Sequence, residues 1–152
     1  MLEIHKQKQR LDGLFAQARK LPEAEIQSHW SRYLCILVSG FLENSVEDCL
    51  TGYCTKRSDQ AVANFVSAKL SSFQNPSMSK ILDLFGSFNP QWKTAIEDAT
   101  QGQLSDSVNS IVGNRNRIAH GESVSLSMGS LQNYYNDAAK VVEILQQVVG
   151  TG

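Results

Sequence analysis

The chain has 152 residues, of which 41% are hydrophobic and 19% are charged. This length can bury a hydrophobic core, and the composition argues against a disordered or fibrous protein. The 14 basic and 15 acidic residues give a formal net charge of −1, so bulk positive charge cannot hold nucleic acid here. Any RNA contact must come from a local site or from a groove between two chains.

The sequence shows neither a targeting segment nor a zinc site. The N-terminal residues lack the apolar stretch of a signal peptide, and the longest mostly apolar run, residues 33–42, is about half of a membrane span. Cys35, Cys49 and Cys54 fall within one predicted helix, where their spacing does not suit a disulfide, and no C-x-x-C pair occurs. We therefore expect a cytoplasmic protein with no metal, no other cofactor and buried, unpaired cysteines.

Apolar residues recur at three- and four-residue intervals along most of the chain, which predicts helices. A first helix covers residues 3–20 and ends before Pro22. A much longer helix covers residues 23–56, and its apolar residues occupy more than one face, which places it in the middle of a bundle. Ser58 suits the N-cap of a third helix that reaches Leu70.

The second half of the chain begins with a break at residues 74–76. A short helix follows, capped by Ser77 or Ser79, and a turn ending at Pro90 leads to another short helix around Trp92. Two longer helices, residues 104–120 and 130–149, complete the pattern, with Gly121 just past the end of the first. We expect a single domain over residues 1–152, an all-α antiparallel bundle of four to five main helices plus short ones.

The segment from residue 112 to residue 122 carries the side chains best suited to chemistry. On a helical wheel, Asn116 and His120 stack one turn apart on a polar stripe that continues to Asn109. Arg115 falls instead on the apolar side, where a guanidinium is expensive to desolvate unless an anion meets it. Each residue also has an ordinary explanation, such as an arginine stem reaching solvent or a histidine near the negative end of a helix dipole.

The pattern Arg115-Asn116-x-x-x-His120, placed near the end of the penultimate helix of an all-α bundle, resembles the signature of the HEPN superfamily. The Ala119-His120-Gly121 ending and residues 33–43 of the long helix are similar to prokaryotic branches tied to RiboL-PSP-type proteins. The resemblance implies an HEPN-like fold and a metal-independent endoribonuclease. In that reaction a ribose 2′-OH attacks the adjacent phosphorus and produces a 2′,3′-cyclic phosphate and a free 5′-OH.

The resemblance also implies roles for single residues. His120 would act as general base or acid, Arg115 would stabilise transition-state charge, and Asn116 would orient the phosphate or the imidazole. We expect Glu43 to be the partner of Arg115, because Glu43 lies on an otherwise apolar helix. The resemblance implies the same pairing, since an acidic residue of the corresponding helix faces the motif in those HEPN branches. Glu47, one turn further on, is the competing candidate, and a solvated surface carboxylate is the ordinary explanation for either.

Arg117 is a weaker candidate for contact with the RNA backbone, because exposed arginines are usually only solvated. The resemblance further implies a homodimer with both motifs in one cleft, RNA as the substrate, a toxin or antiviral role and an antitoxin protein as partner, with neither DNA nor membrane involved. The intact Arg115 and His120 pair favours this function. The near-neutral charge favours the alternative, a non-catalytic HEPN module that dimerises, binds a nucleotide or binds another protein. A structural bundle outside the family is a third possibility.

Overall fold

The described part of the chain consists of helices and connecting loops. The computed structural model describes residues 2–150, without the side chain of Leu2, and Met1, Thr151 and Gly152 of the predicted domain lie outside it. The four long helices are α1 (Leu2–Arg19), α2 (Ala24–Arg57), α6 (Gln103–Ala119) and α7 (Met128–Gly150), and the three short ones are α3 (Gln60–Leu70), α4 (Met78–Phe88) and α5 (Pro90–Thr100). The predicted all-α bundle of main and short helices is confirmed.

Helix α2 lies in the middle of the bundle, as its apolar pattern predicted. It packs against α1, α3, α6 and α7 and has buried positions from Ser31 to Cys54. Its three cysteines are unpaired and buried, as expected. Burial raises the pKa of Cys35 to about 11 and that of Cys49 to about 12, so both thiols remain protonated at neutral pH. No helix in the described range, α2 included, is both long and apolar enough to cross a bilayer.

An aromatic cluster joins α1, α2 and α7. Tyr135 of α7 stacks on Phe15 of α1 with ring centroids 4.7 Å apart, and it meets Phe41 of α2 edge-on at 6.2 Å. The Tyr135 hydroxyl donates a 2.6 Å hydrogen bond to Asp12 Oδ1, which gives this buried polar group a partner. Burial and the Asp12 carboxylate together raise the pKa of Tyr135. Two of these three helices, α2 and α7, are the ones against which α6 packs.

The short helices begin at the residues that cap them. Ser77 is the N-cap of α4, since its Oγ accepts a 3.3 Å hydrogen bond from the Lys80 N–H, which decides between the two serines predicted. Asn89 caps α5 in the same way and is followed by a proline at the first helical position. The prediction for α3 is wrong by one residue, because Ser58 ends α2 and Asp59 occupies the N-cap position.

Candidate active site

Helix α6 presents a cation on the side that faces the core. Val108 and Ile111 are fully buried, while Leu104 and Ile118 are half-buried against the same core. Arg115 lies four residues after Ile111 and three before Ile118, so it continues this row of contacts, and it is half-buried. The structure therefore places the guanidinium on the packed side of the helix, where the wheel predicted it.

The loop between α3 and α4 lies against this guanidinium. Asn75 is the only described non-glycine residue with a positive φ, 54°, a conformation that asparagine tolerates better than most residues. Its backbone N–H donates a 3.1 Å hydrogen bond to Glu43 Oε1 of α2, and its Oδ1 accepts a 3.5 Å contact from Arg115 Nη1. Contacts from two helices thus hold a strained residue in place.

A second hydrogen bond ties the same loop to α6. Asn109 Oδ1 accepts a 2.9 Å hydrogen bond from the backbone N–H of Met78, the first residue of α4. Asn109 belongs to the polar stripe predicted on α6, and its function here is to satisfy a backbone donor at the start of a helix. The stripe therefore positions the loop that carries Asn75.

Within the part of the chain that the structure describes, the partners of Arg115 are neutral. Besides Asn75, its Nη1 contacts Asn116 Oδ1, also at 3.5 Å, which is long for a hydrogen bond from a charged donor. The ion pairs found among residues 2–150 are Lys8–Asp12, Lys93–Asp83 and Arg117–Glu122, so no described carboxylate lies within 4.0 Å of this guanidinium. A half-buried cation held by two long amide contacts can exchange them for the oxygens of a phosphate.

The ion pair predicted between Glu43 and Arg115 is absent from the described part of the chain. Glu43 and Arg115 instead contact the same residue, Asn75, the first through its backbone N–H and the second through its side-chain oxygen. The helical pattern could not reveal this intermediary, because Asn75 lies in a loop that is distant from both helices in sequence. Glu47, the competing candidate, is half-buried, and its carboxylate is in none of the ion pairs found among the described residues.

His120 lies at the end of α6 and is exposed. It is the C-cap residue, and its N–H donates a 3.0 Å hydrogen bond to the Asn116 carbonyl. Gly121 has a φ of 75°, and the N–H groups of Gly121 and Glu122 donate to the carbonyls of Ile118 and Arg117 at 3.0 and 2.9 Å. These bonds form a Schellman motif, which places the backbone of His120 at a defined helix end.

Arg117 points its charge to the residues that follow the helix. Its Nε donates to Glu122 Oε2 at 3.1 Å, and its Nη2 donates to the Ser123 carbonyl at 3.3 Å. The structure thus brings Arg115, Asn116 and Asn75 into contact, whereas no side-chain hydrogen bond between His120 and Arg115 occurs within the described residues. His120 stays near them only because it follows Asn116 by one helical turn.

No group of three or more His, Cys, Asp or Glu side chains suitable for a metal occurs between residues 2 and 150. The arrangement of a guanidinium, two amides and an exposed imidazole along one helix end is suited to binding an anion and moving a proton. Asn75 is the site residue that the sequence did not reveal. Its position before Pro76 marked only a break between helices.

Comparisons with known proteins identify the family. The sequence model of the RiboL-PSP-HEPN family matches residues 2–151, almost the whole chain. Neither the curated proteins nor the solved structures include a significant match. The family match covers both the α6 motif and the long α2 helix that packs against it. The chain belongs to the RiboL-PSP-HEPN family.

Proposed function

We propose that this protein is a metal-independent endoribonuclease of the HEPN type. The observation that carries the proposal is Arg115, a half-buried guanidinium with two neutral contacts at 3.5 Å and no carboxylate within 4.0 Å among the described residues. A cation left without a counter-ion in a packed position is unfavourable for stability, and a phosphate would supply the missing charge.

The reaction assigns one task to each side chain. A base removes the proton from a ribose 2′-OH, whose oxygen attacks the adjacent phosphorus, and the bond to the 5′ oxygen breaks. The leaving oxygen takes up a proton, so the products are a 2′,3′-cyclic phosphate and a 5′-OH. His120 acts as one of the two proton-transfer groups, because an imidazole ring can both accept and donate a proton. Arg115 binds the charge that develops on the equatorial oxygens, and Asn116 orients the phosphate.

A single imidazole cannot act as base and acid in the same step, so a homodimer that brings two motifs into one cleft belongs to this proposal. The exposure of His120 supports it, since a second chain can reach that side chain. The physiological setting we propose is a toxin or antiviral factor restrained by an antitoxin protein. An uncontrolled ribonuclease would damage the cell that makes it.

The competing function is a non-catalytic HEPN module that dimerises or binds a nucleotide or another protein. The formal net charge of −1 favours it, because most RNA-binding domains carry excess basic charge. The two functions differ in one outcome, since only the enzyme breaks the phosphodiester bond.

The test is to incubate purified protein with structured and unstructured RNA in EDTA. We expect fragments that end in a 2′,3′-cyclic phosphate, and a loss of about 10²-fold or more in rate for His120→Ala. His5→Ala removes an exposed imidazole from α1 and is the matched control. Cleavage that requires an added metal would contradict the mechanism. Cleavage that His120→Ala leaves unchanged would contradict the site, and no cleavage by the wild type would favour the non-catalytic module.

A further inference from the structure

A shallow groove begins at Asn75 and runs along the start of α4. Its walls are residues 72–75 of the α3–α4 loop together with Lys80, Asp83 and Leu84, and its volume is about 520 Å³. Ser72, Gln74 and Lys80 are exposed, so a hydroxyl, an amide and an ammonium group are available along it. The sequence pattern did not indicate this surface.

The groove wall carries one lysine, Lys80, and one aspartate, Asp83, and of these two only the aspartate is in an ion pair within the described residues. Lys80 Nζ donates a 3.3 Å hydrogen bond to the Gln74 carbonyl, and no carboxylate between residues 2 and 150 lies within 4.0 Å of it. The one acidic wall residue, Asp83, is paired with Lys93 Nζ at 3.1 Å. The negative charge in the groove is therefore offset by a neighbouring lysine, whereas the charge of Lys80 is not offset.

Asn75 connects this groove to the motif. It forms part of the groove wall, and its Oδ1 also accepts the contact from Arg115. Lys80 reaches the carbonyl of Gln74, the residue directly before Asn75, and consecutive Cα atoms are about 3.8 Å apart. Arg115 and Lys80, two cations without a carboxylate partner among the described residues, thus contact adjacent residues of one short loop.

We propose that this groove binds the RNA phosphate next to the one that is cleaved, with Lys80 as the residue that contacts it. The assignment rests on the proposed ribonuclease function. A groove open to solvent suits a polymer, because the strand has to continue beyond the bound nucleotides. Lys80 is a binding residue in this scheme and takes no part in proton transfer.

The test measures binding of a fluorescent 2′-O-methyl RNA oligonucleotide, which cannot be cleaved because it lacks the attacking 2′-OH. Anisotropy titrations at several salt concentrations compare wild type, Lys80→Ala, Lys80→Arg and Lys140→Ala. Lys140 is an exposed lysine of α7 outside the groove, and its loss changes the net charge equally. We expect Lys80→Ala to bind about fivefold more weakly at low salt. The slope of log K against log salt should become shallower by about 0.7, the value for one phosphate contact on a single strand.

Lys80→Arg should restore both quantities, and Lys140→Ala should resemble the wild type. With cleavable RNA, Lys80→Ala should raise KM and leave kcat unchanged. If Lys80→Ala binds like Lys140→Ala while Arg115→Ala binds weakly, the groove assignment is overturned and the Arg115 phosphate site stands. If the wild type neither binds the oligonucleotide nor cleaves RNA, both proposals are overturned. Preferential binding of a mononucleotide would also overturn the groove as a strand site.

Discussion

The two ends of α6 use polar residues for different purposes. Near the N-terminal end, Ser107 Oγ and Gln103 Nε2 donate to Asp137 Oδ2 of α7 at 2.6 and 3.0 Å. Ser107 and Asp137 are both buried. The carboxylate oxygen that accepts these bonds has its hydrogen-bonding capacity met within the protein, and the result is a fixed contact between two helices.

At the C-terminal end the polar groups are less completely satisfied. Arg115 has two contacts at 3.5 Å, both to amide oxygens, and His120 is exposed. The comparison shows that the partners of a polar residue on a helix indicate whether its role is structural or functional. Short bonds to a neighbouring helix indicate a structural role, whereas a cation with long, neutral contacts remains available to a ligand. Substitutions at the two ends should therefore affect stability and activity separately.

The largest difference between the effect on stability and the effect on activity is expected from Arg115→Leu. Leucine continues the row formed by Ile111 and Ile118, so the free energy of unfolding should rise by about 1 kcal/mol as a desolvated charge is replaced by an apolar side chain. The rate of RNA cleavage should fall by about 10²- to 10³-fold, because the transition-state charge loses its partner. Denaturant unfolding and a cleavage assay measure the two quantities.

Arg10→Leu, at an exposed position of α1, is the control for Arg115→Leu, because it makes the same chemical change without entering the packed row. It should not increase stability. A loss of stability greater than about 2 kcal/mol in Arg115→Leu would mean that Arg115 has a structural role, and the contrast between the helix ends would then be wrong.

The opposite combination, a loss of stability without a loss of activity, is expected from Asp137→Ala. The change leaves the buried Ser107 hydroxyl and the exposed Gln103 amide without their acceptor, which should lower the free energy of unfolding by about 2 kcal/mol, mostly through Ser107. The kcat of the protein that remains folded should not change, since Asp137 of α7 contacts the N-terminal end of α6 and the motif lies at the C-terminal end. Asn133→Ala, one turn earlier and exposed, is the control and should shift stability by less than about 0.5 kcal/mol. Reduced kcat in fully folded Asp137→Ala protein would show that the two ends are coupled.

A smaller loss of stability than that of Asp137→Ala is expected from Gly121→Ala. The φ of 75° at this position is unfavourable for alanine, so the free energy of unfolding should fall by about 1 kcal/mol. Activity should fall as well, because the Schellman bonds of Gly121 and Glu122 hold the backbone of His120 at the helix end. Gly13→Ala on α1 is a matched control of opposite sign, since this exposed helical glycine has space for a methyl group and alanine favours the helix. Equal changes in the free energy of unfolding for the two substitutions, measured by thermal unfolding, would show that the positive φ of Gly121 does not disfavour alanine.

Most of the helices and part of the site could be predicted from local patterns. The period of the apolar residues located α1, α2, α6 and α7 to within about two residues, because each buries one or more faces against neighbours. The same period showed that Arg115 lies on the packed side of α6. The N-cap of α3 was misplaced, since Ser58 and Asp59 are both suitable caps and only the backbone path distinguishes them.

The partners of the motif could not be predicted in the same way. Glu43 lies on α2 as expected, but its Oε1 accepts a hydrogen bond from the backbone N–H of Asn75 rather than from Arg115. The contact depends on how the α3–α4 loop folds over the junction of two helices. No periodic pattern describes a loop, and neither the Lys80 groove nor the pairing of Ser107 with Asp137 left a signal in the sequence.

The amino-acid sequence by itself determined which segments become helices, which helix is central and which side of α6 carries the guanidinium. These properties follow from the spacing of residues along one helix, and that spacing can be read directly from the sequence. The tertiary structure alone decided that Asn75 contacts both Arg115 and Glu43. It also decided that Lys80 contacts Gln74, the residue before Asn75. The physical reason is that the two contacts of Asn75 join segments 32 and 40 residues apart in sequence, which packing of the whole bundle brings together. The Lys80 contact is local in sequence and depends on the backbone path of the α3–α4 loop.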